Sequence, residues 1–309
     1  MSPVTELRIS LALPTDFRVD DVLRFYRRDS QQLAERVTNR KVEKALLYQG
    51  VPACLALDFT VANQVNITLL SDAPITLNAA LLKHWCERLL GLQQPIEEFS
   101  RGYAEHPQLG GLISATPGLR IPQATTPHEA ACWAVIGQMI SVQAAISIRR
   151  RLIQQFGVTH SGGLLCHPDA ASLAALDETQ LRLCGLSRSK AASLLLLARE
   201  TCAGRLPLEP PAALADHDPE QLAADLLALR GIGPWTVSYI LLRGFSSLDG
   251  SLHGDVVVRN RLQYLLALPQ PPDQRQTAAW LAAFSPYRAL VAAYLWAMPS
   301  ATATVTQDY

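Results

Sequence analysis

Hydrophobic and polar positions follow two periods in the first hundred residues and mostly one in the rest. LRISLALP and ACLALDFTVANQVNITLL alternate, or run apolar with β-branched residues, which predicts strands with a turn near Asn63. VDDVLRFYRRDSQQLAERV and LNAALLKHWCERLLGL space their apolar residues three and four apart, which predicts helices in the same α+β layer. From about Gly110, GGLISATPGLRIPQATTP is rich in Gly, Pro and Thr and reads as a connecting loop. Beyond it nearly everything to residue 298 has helical spacing. HEAACWAVIGQMISVQAAISIRRRLIQQFG follows Pro127 and ends at Gly157, long enough for two abutting helices or one interrupted near Gly137. DETQLRLCGL, SRSKAASLLLLARETCAG and DPEQLAADLLALRG open on the cap candidates Asp177, Ser187 and Asp218. PWTVSYILLRGF, DVVVRNRLQYLLAL, QTAAWLAAF and YRALVAAYLWAM complete the helical text, and the tail SATATVTQDY lacks apolar period and is expected to be loosely held. No repeat of fixed period is present. The expected division is an α+β domain over 1–112, a helical region over 113–298 and a tail over 299–309.

The junction LRGIGPWTVSYI joins two of these helices by a very short turn. Gly231 stands where a helix needs a left-handed residue past its end, and Pro234 where the next helix tolerates a missing N–H. Gly231 and Gly233 flank Ile232, so no Cβ at the outer positions blocks approach to the backbone, and the N–H groups of the new helix can meet an anion. A turn that uses glycine for geometry alone has the same sequence. Trp235 and Tyr239 lie four apart on one helix face that Leu242 continues, a stripe that suits a core as well as a pocket. Asp255, after the loop SSLDGSLHG and before VVVRNRL, is placed to cap a helix or to face a cleft.

Composition narrows the possibilities. The 309 residues fit one large or two to three compact domains, and about half are hydrophobic. No apolar run reaches membrane-spanning length and the N-terminus lacks the order of a signal peptide, so a soluble cytoplasmic protein is expected. Six cysteines with no C-x-x-C pair read as buried free thiols. Lys and Arg number 27 against 27 Asp and Glu, so any nucleic-acid footprint has to be local. The run Arg149, Arg150, Arg151 is one local excess, readable also as a solvated helix face.

LRGIGPWTVSYILLRG followed by LHGDVVVRNRL resembles the helix-hairpin-helix and catalytic-aspartate loop of the helix-hairpin-helix DNA glycosylases, and most closely their DNA-3-methyladenine glycosylase II type. PGLRIPQATTPHEAACWAVIGQMISVQAA and PYRALVAAYLWAM extend the likeness, strong over 117–147 and 222–298 and weak over 1–100. The resemblance implies a TATA-binding-protein-like α+β domain followed by an all-α glycosylase domain. It implies Asp255 as the catalytic carboxylate, and Trp235, Tyr239 and Trp296 as an aromatic pocket for the base. Met139 is implied as the wedge that enters duplex DNA. Gly231, Ile232, Gly233 and Thr236 are implied to hold the DNA backbone. Lyase members carry Lys where this chain has Trp235, and iron–sulfur members end in four close cysteines where this chain has none after Cys202. No lyase step, no cluster and no catalytic metal are therefore expected, while the hairpin carbonyls could hold a structural monovalent cation. His253 and Gly254 depart from the family pattern.

The implied activity is that of a monomeric, monofunctional DNA glycosylase of base excision repair. It would bind damaged double-stranded DNA at the bacterial nucleoid, flip out alkylated purines such as 3-methyladenine and 7-methylguanine, and hydrolyse the N-glycosidic bond. The alternatives are a glycosylase for mismatched or deaminated bases, a non-catalytic helix-hairpin-helix DNA-binding protein, and a helical scaffold with no nucleic-acid partner.

Overall fold

Strict alternation of buried and half-exposed positions along Gln64–Ser71, with Val65, Ile67, Leu69 and Ser71 buried, marks one strand of a five-stranded sheet. The computed structural model describes residues 5–210 and 212–299. Strands β1 (Thr5–Ala12), β2 (Glu35–Thr38), β3 (Lys41–Tyr48), β4 (Val51–Asp58) and β5 (Gln64–Ser71) pair antiparallel in the order β1-β5-β4-β3-β2. Helices α1 (Val19–Tyr26) and α2 (Ala79–Leu89) cover one face, packing Val22, Leu23, Leu82 and Trp85 against it. Asn63 takes a left-handed conformation, φ 53°, at the expected turn. Strand β3 is buried continuously from Lys44 to Tyr48, because Leu164 and Cys166 cover Ala45 and Leu47 on the second face. Buried on both faces, it shows no alternation. The helix expected over 19–37 stops at Tyr26, and Glu35–Thr38 pairs with β3 instead, tertiary pairing overriding local spacing.

The rest of the chain is helical. The elements are α3 (Ile96–Tyr103), α4 (Leu109–Ala115), α5 (Pro127–Gly137), α6 (Val142–Phe156), α7 (Ala170–Ala174), α8 (Glu178–Leu183), α9 (Arg188–Cys202), α10 (Pro219–Leu227), α11 (Pro234–Phe245), α12 (Val256–Leu265), α13 (Gln274–Ala282) and α14 (Arg288–Ala297). Asp177, Ser187 and Asp218 cap α8, α9 and α10 as their positions predict. The long segment after Pro127 is two helices, broken between Gly137 and Val142.

The connecting loop expected from Gly110 is a helix in its first part. Gly110 lies inside α4, where an added Cβ would fall 2.2 Å from the Ala104 carbonyl, so its glycine serves close packing and not a turn. Ile96, Phe99, Leu109 and Ile113 of α3 and α4 pack with α12 and α14, which places residues from 96 onward with the helical core and moves the change of core ahead of position 112. Most of the tail, residues 300–309, lies outside the described residues.

Two hydrophobic clusters share α11. Val237, Ile240 and Leu241 belong to the cluster with α5, α6 and α9, whereas Leu242 belongs to the cluster with α12 and α14. Trp235 and Trp296 pack, partly buried, against both. They mark the seam.

The sheet joins the helices through a buried charge cluster. Lys44 Nζ lies 2.8 Å from Glu35 Oε1 and 2.8 Å from Glu129 Oε1. The Arg149 guanidinium reaches the same two carboxylates. Burial alone would raise both carboxyls, but the two cations outweigh it and hold both below the usual carboxylate range. Arg150 pairs with Asp29 and Arg151 donates to the Cys184 carbonyl. Arg149 and Arg150 are thus turned inward onto carboxylates, while Arg151 stays exposed, so the run is not a free basic footprint of three charges. The cysteines are all free, but Cys202 is exposed and Cys54 half-buried, against the expectation of uniform burial.

Replacing Lys44 by Met leaves two buried carboxylates sharing one guanidinium. Breaking a buried pair costs about 3–5 kcal/mol, so Lys44→Met is expected to lower the unfolding free energy by about that amount in urea titration, and a change as small as that of an ordinary surface substitution would contradict this view of the cluster.

Candidate active site

Asp255 caps a helix and at the same time accepts from two indoles. Its Oδ1 accepts from the Val257 and Val258 N–H groups at 2.9 and 3.0 Å, which closes the N-terminus of α12. The same oxygen accepts from Trp296 Nε1 at 3.2 Å, and Oδ2 accepts from Trp235 Nε1 at 2.9 Å. An indole N–H only donates. Residues from the start of α11, the start of α12 and the end of α14 therefore converge on one carboxylate, each oxygen bonded to an indole.

The aromatic residues continue from there. The Trp235 and Tyr239 rings lie 5.4 Å apart and 30° from parallel, and Tyr239 and Trp296 6.5 Å apart. Pocket and core, the two readings of this stripe, hold for different members. Leu242 is fully buried, Tyr239 is 8% exposed, and Trp235 and Trp296 remain partly open beside the carboxylate.

The hairpin before α11 needs its first glycine twice over. Gly231 has φ 87°, and a Cβ there would fall 2.2 Å from Ser193 Oγ. At Gly233 a Cβ would meet nothing within 4 Å, so this side of the turn is open. Gly233 caps α11 without a side-chain hydrogen bond, so no cap side chain accepts from the backbone N–H groups of the first turn. Ile232 is buried and its N–H donates to the Leu229 carbonyl at 3.2 Å, and Thr236 is buried. These two hold the hairpin from within.

Met139 is fully exposed and has φ 56°, uncommon for a residue with a Cβ. It stands in the break between α5 and α6, beside half-exposed Ile140. Full exposure sets aside the reading of Met139 as a core residue. Gln138 Nε2 donates to the Gly231 carbonyl at 3.1 Å and to Thr236 Oγ1 at 2.9 Å, so the Met139 turn is tied to the hairpin.

Sequence reasoning missed the residues behind the aromatic stripe. The Arg28 guanidinium lies 4.1 Å from the Phe25 ring centre and 4.8 Å from that of Trp133. The Arg243 guanidinium lies 4.9 Å from Phe25 and 5.9 Å from Trp296. Ring and cation alternate from Trp133 through Arg28, Phe25 and Arg243 to Trp296, whose N–H holds Asp255. Burial, with Arg28 nearby, pushes Arg243 down to about 10, so it stays charged at neutral pH. Arg243 follows Tyr239 at helical spacing and could have been found on that face. Phe25 and Arg28 reach the site only by tertiary packing. No group of three or more His, Cys, Asp or Glu suited to a metal occurs among the described residues.

Most of the chain matches known families. Residues 8–126 match the AlkA N-terminal domain, and residues 132–286 match the HhH-GPD superfamily base excision DNA repair protein. Over 190 residues the chain is 30% identical to DNA-3-methyladenine glycosylase 2 of Escherichia coli, covering 61% of this chain and 63% of that protein, less than two-thirds of its length. The fold is that of 3-methyladenine DNA-glycosylase from Archaeoglobus fulgidus, with a TM-score of 0.78 and 19% identity over 93% of this chain and 97% of that one. A 3-methyladenine DNA glycosylase of Schizosaccharomyces pombe, solved in complex with abasic DNA, gives a TM-score of 0.55 and 25% identity over 64% of this chain and 95% of that one. The chain belongs to the HhH-GPD superfamily of base excision DNA repair proteins.

Proposed function

We propose that this chain is a monofunctional DNA glycosylase that binds damaged double-stranded DNA and releases alkylated purines such as 3-methyladenine and 7-methylguanine. The observation that carries this reading is the Asp255 carboxylate, fixed by two backbone N–H groups and two indole N–H groups beside a half-open aromatic stripe. The names of the relatives in Escherichia coli and Schizosaccharomyces pombe support it.

An alkylated purine carries a positive charge and leaves as a neutral base, taking the electrons of the C1′–N bond. Positive charge then develops on the sugar, where an ionised Asp255 stabilises it until water attacks C1′. Trp235 and Trp296 offer ring surface to the cationic base, a contact of about 1–2 kcal/mol when desolvated. Exposure of the base requires unstacking, at about a few kcal/mol, which Met139 offsets by filling the gap while uncapped N–H groups at the start of α11 hold a phosphate. With Trp235 where a Schiff-base lysine would stand, the product is an abasic site in an intact strand.

A structural monovalent cation at the hairpin suits the donor chemistry. The Leu229, Arg230 and Gly231 carbonyls each accept a hydrogen bond, from Ile232 N, Ser193 Oγ and Gln138 Nε2, and a neutral carbonyl keeps a second lone pair. Such a cation would brace the turn. Monomeric state and cytoplasmic location complete the reading. No helix among the described residues is long and apolar enough to cross a membrane.

Asparagine caps a helix about as well as aspartate, so Asp255→Asn is expected to fold and bind DNA while losing base release by roughly a hundredfold or more. Chromatography of free bases from methylated duplex DNA measures this, and a variant as active as wild type would overturn the role of Asp255. Met139→Ala, at an exposed position, is expected to keep its stability and to slow release from duplex DNA about tenfold, with a much smaller loss on single-stranded DNA, where no base has to leave a stack. Equal losses on the two substrates would contradict the wedge.

A further inference from the structure

Tyr239 and Arg243 line a recess of about 40 Å³ whose walls also include Phe25, Arg28 and Trp133. That is room for roughly three waters, or for the substituted edge of a base but not its whole ring system. Glu35, Glu129 and Arg149 also border it, but they are engaged with one another and with Lys44 in the charge cluster. The unpartnered Asp29 Oδ2 is closed off by burial. Half-buried Arg28 is different. Its Nε donates to the Phe25 carbonyl at 2.8 Å, its guanidinium lies against the Phe25 and Trp133 rings, and its terminal nitrogens have no hydrogen-bond partner among the described residues.

A guanidinium has five N–H donors and no acceptor, and stacking fixes its plane. An exocyclic oxygen on an extruded base could accept from it, whereas an amino group in the same place would set donor against donor. Guanine-type bases present O6 where adenine-type bases present an N6 amino group. We propose that Arg28 is a specificity-determining residue that reads the exocyclic edge of the extruded base and favours oxygen over an amino group there. The proposal rests on the glycosylase reading above and adds a residue and a preference to it. Since 7-methylguanine and 3-methyladenine both carry a positive charge, repulsion by Arg28 acts on both, and the difference between them reports the hydrogen bond.

The test is the ratio of initial release rates of 7-methylguanine and 3-methyladenine from one methylated duplex DNA, for wild type, Arg28→Ala and Arg28→Lys. Arg28→Ala is expected to lower the ratio roughly tenfold, as loss of a hydrogen bond to a charged donor does. Arg28→Lys, which keeps charge without the planar fork, should fall between. Loss of folded protein lowers both rates alike and leaves the ratio unmoved, so the readout does not depend on the variants' stability. Release of both bases by Arg28→Ala in the wild-type ratio overturns this proposal alone, whereas release of neither by wild type overturns the glycosylase reading and this proposal with it.

Discussion

The Asp255 carboxylate is the point on which three helices agree. Its two oxygens receive four N–H groups, two from the first turn of α12 and one indole each from α11 and α14. A carboxylate held on both oxygens keeps its rotamer, and the cap sets its position relative to the α12 axis. Neither hydrophobic cluster of the helical region places it alone. Trp235 and Trp296 touch both, so the site lies where the packing of α5, α6 and α9 meets that of α12 and α14. In the proposed reading the carboxylate faces a developing charge, where a group is useful only if it need not reorganise during the reaction, and these four hydrogen bonds hold it fixed in the resting protein.

The sheet domain takes part in this geometry through two contacts of different character. The cluster of Lys44, Glu35, Glu129 and Arg149 fixes β2 and β3 to α5 and α6 by paired, buried charges. The alternating rings and guanidiniums from Trp133 to Trp296 then carry α1 up to the indole that holds Asp255. Of the rings around Asp255, Trp296 is already approached by the protein's own Arg243. Cation–π attraction alone does not describe the pocket, and the edge chemistry of Arg28 gains weight in the proposed reading.

Features governed by local chain chemistry were legible in the sequence. Gly231 was readable as left-handed, Asp255 as a cap, Asp177, Ser187 and Asp218 as helix starts, and Asn63 as a turn, because each conformation is dictated by the residue and its immediate neighbours. What failed depended on partners far along the chain. Strand β3 gave no alternation because both faces are covered. The end of α1 was hidden because β2 pairs with β3, and α4 because Gly110 serves packing against Ala104. The arginine run read as a surface feature although Arg149 and Arg150 meet carboxylates contributed by the sheet domain. Of the site, Trp235, Tyr239, Trp296 and Asp255 do come together, as the family resemblance implied. Phe25, Arg28 and Trp133 had no local signal, since their chemistry exists only once the two domains are packed.

In the proposed reading Asp255, with an indole where a nucleophilic lysine would be needed, supports release of a base without strand cleavage. A denaturing gel of a methylated duplex after incubation with the wild-type protein, run with and without hot alkali, tests this most directly. The strands are expected to stay intact until alkali breaks them at abasic sites. Breaks formed by the protein without alkali, or no abasic sites at all, would contradict it.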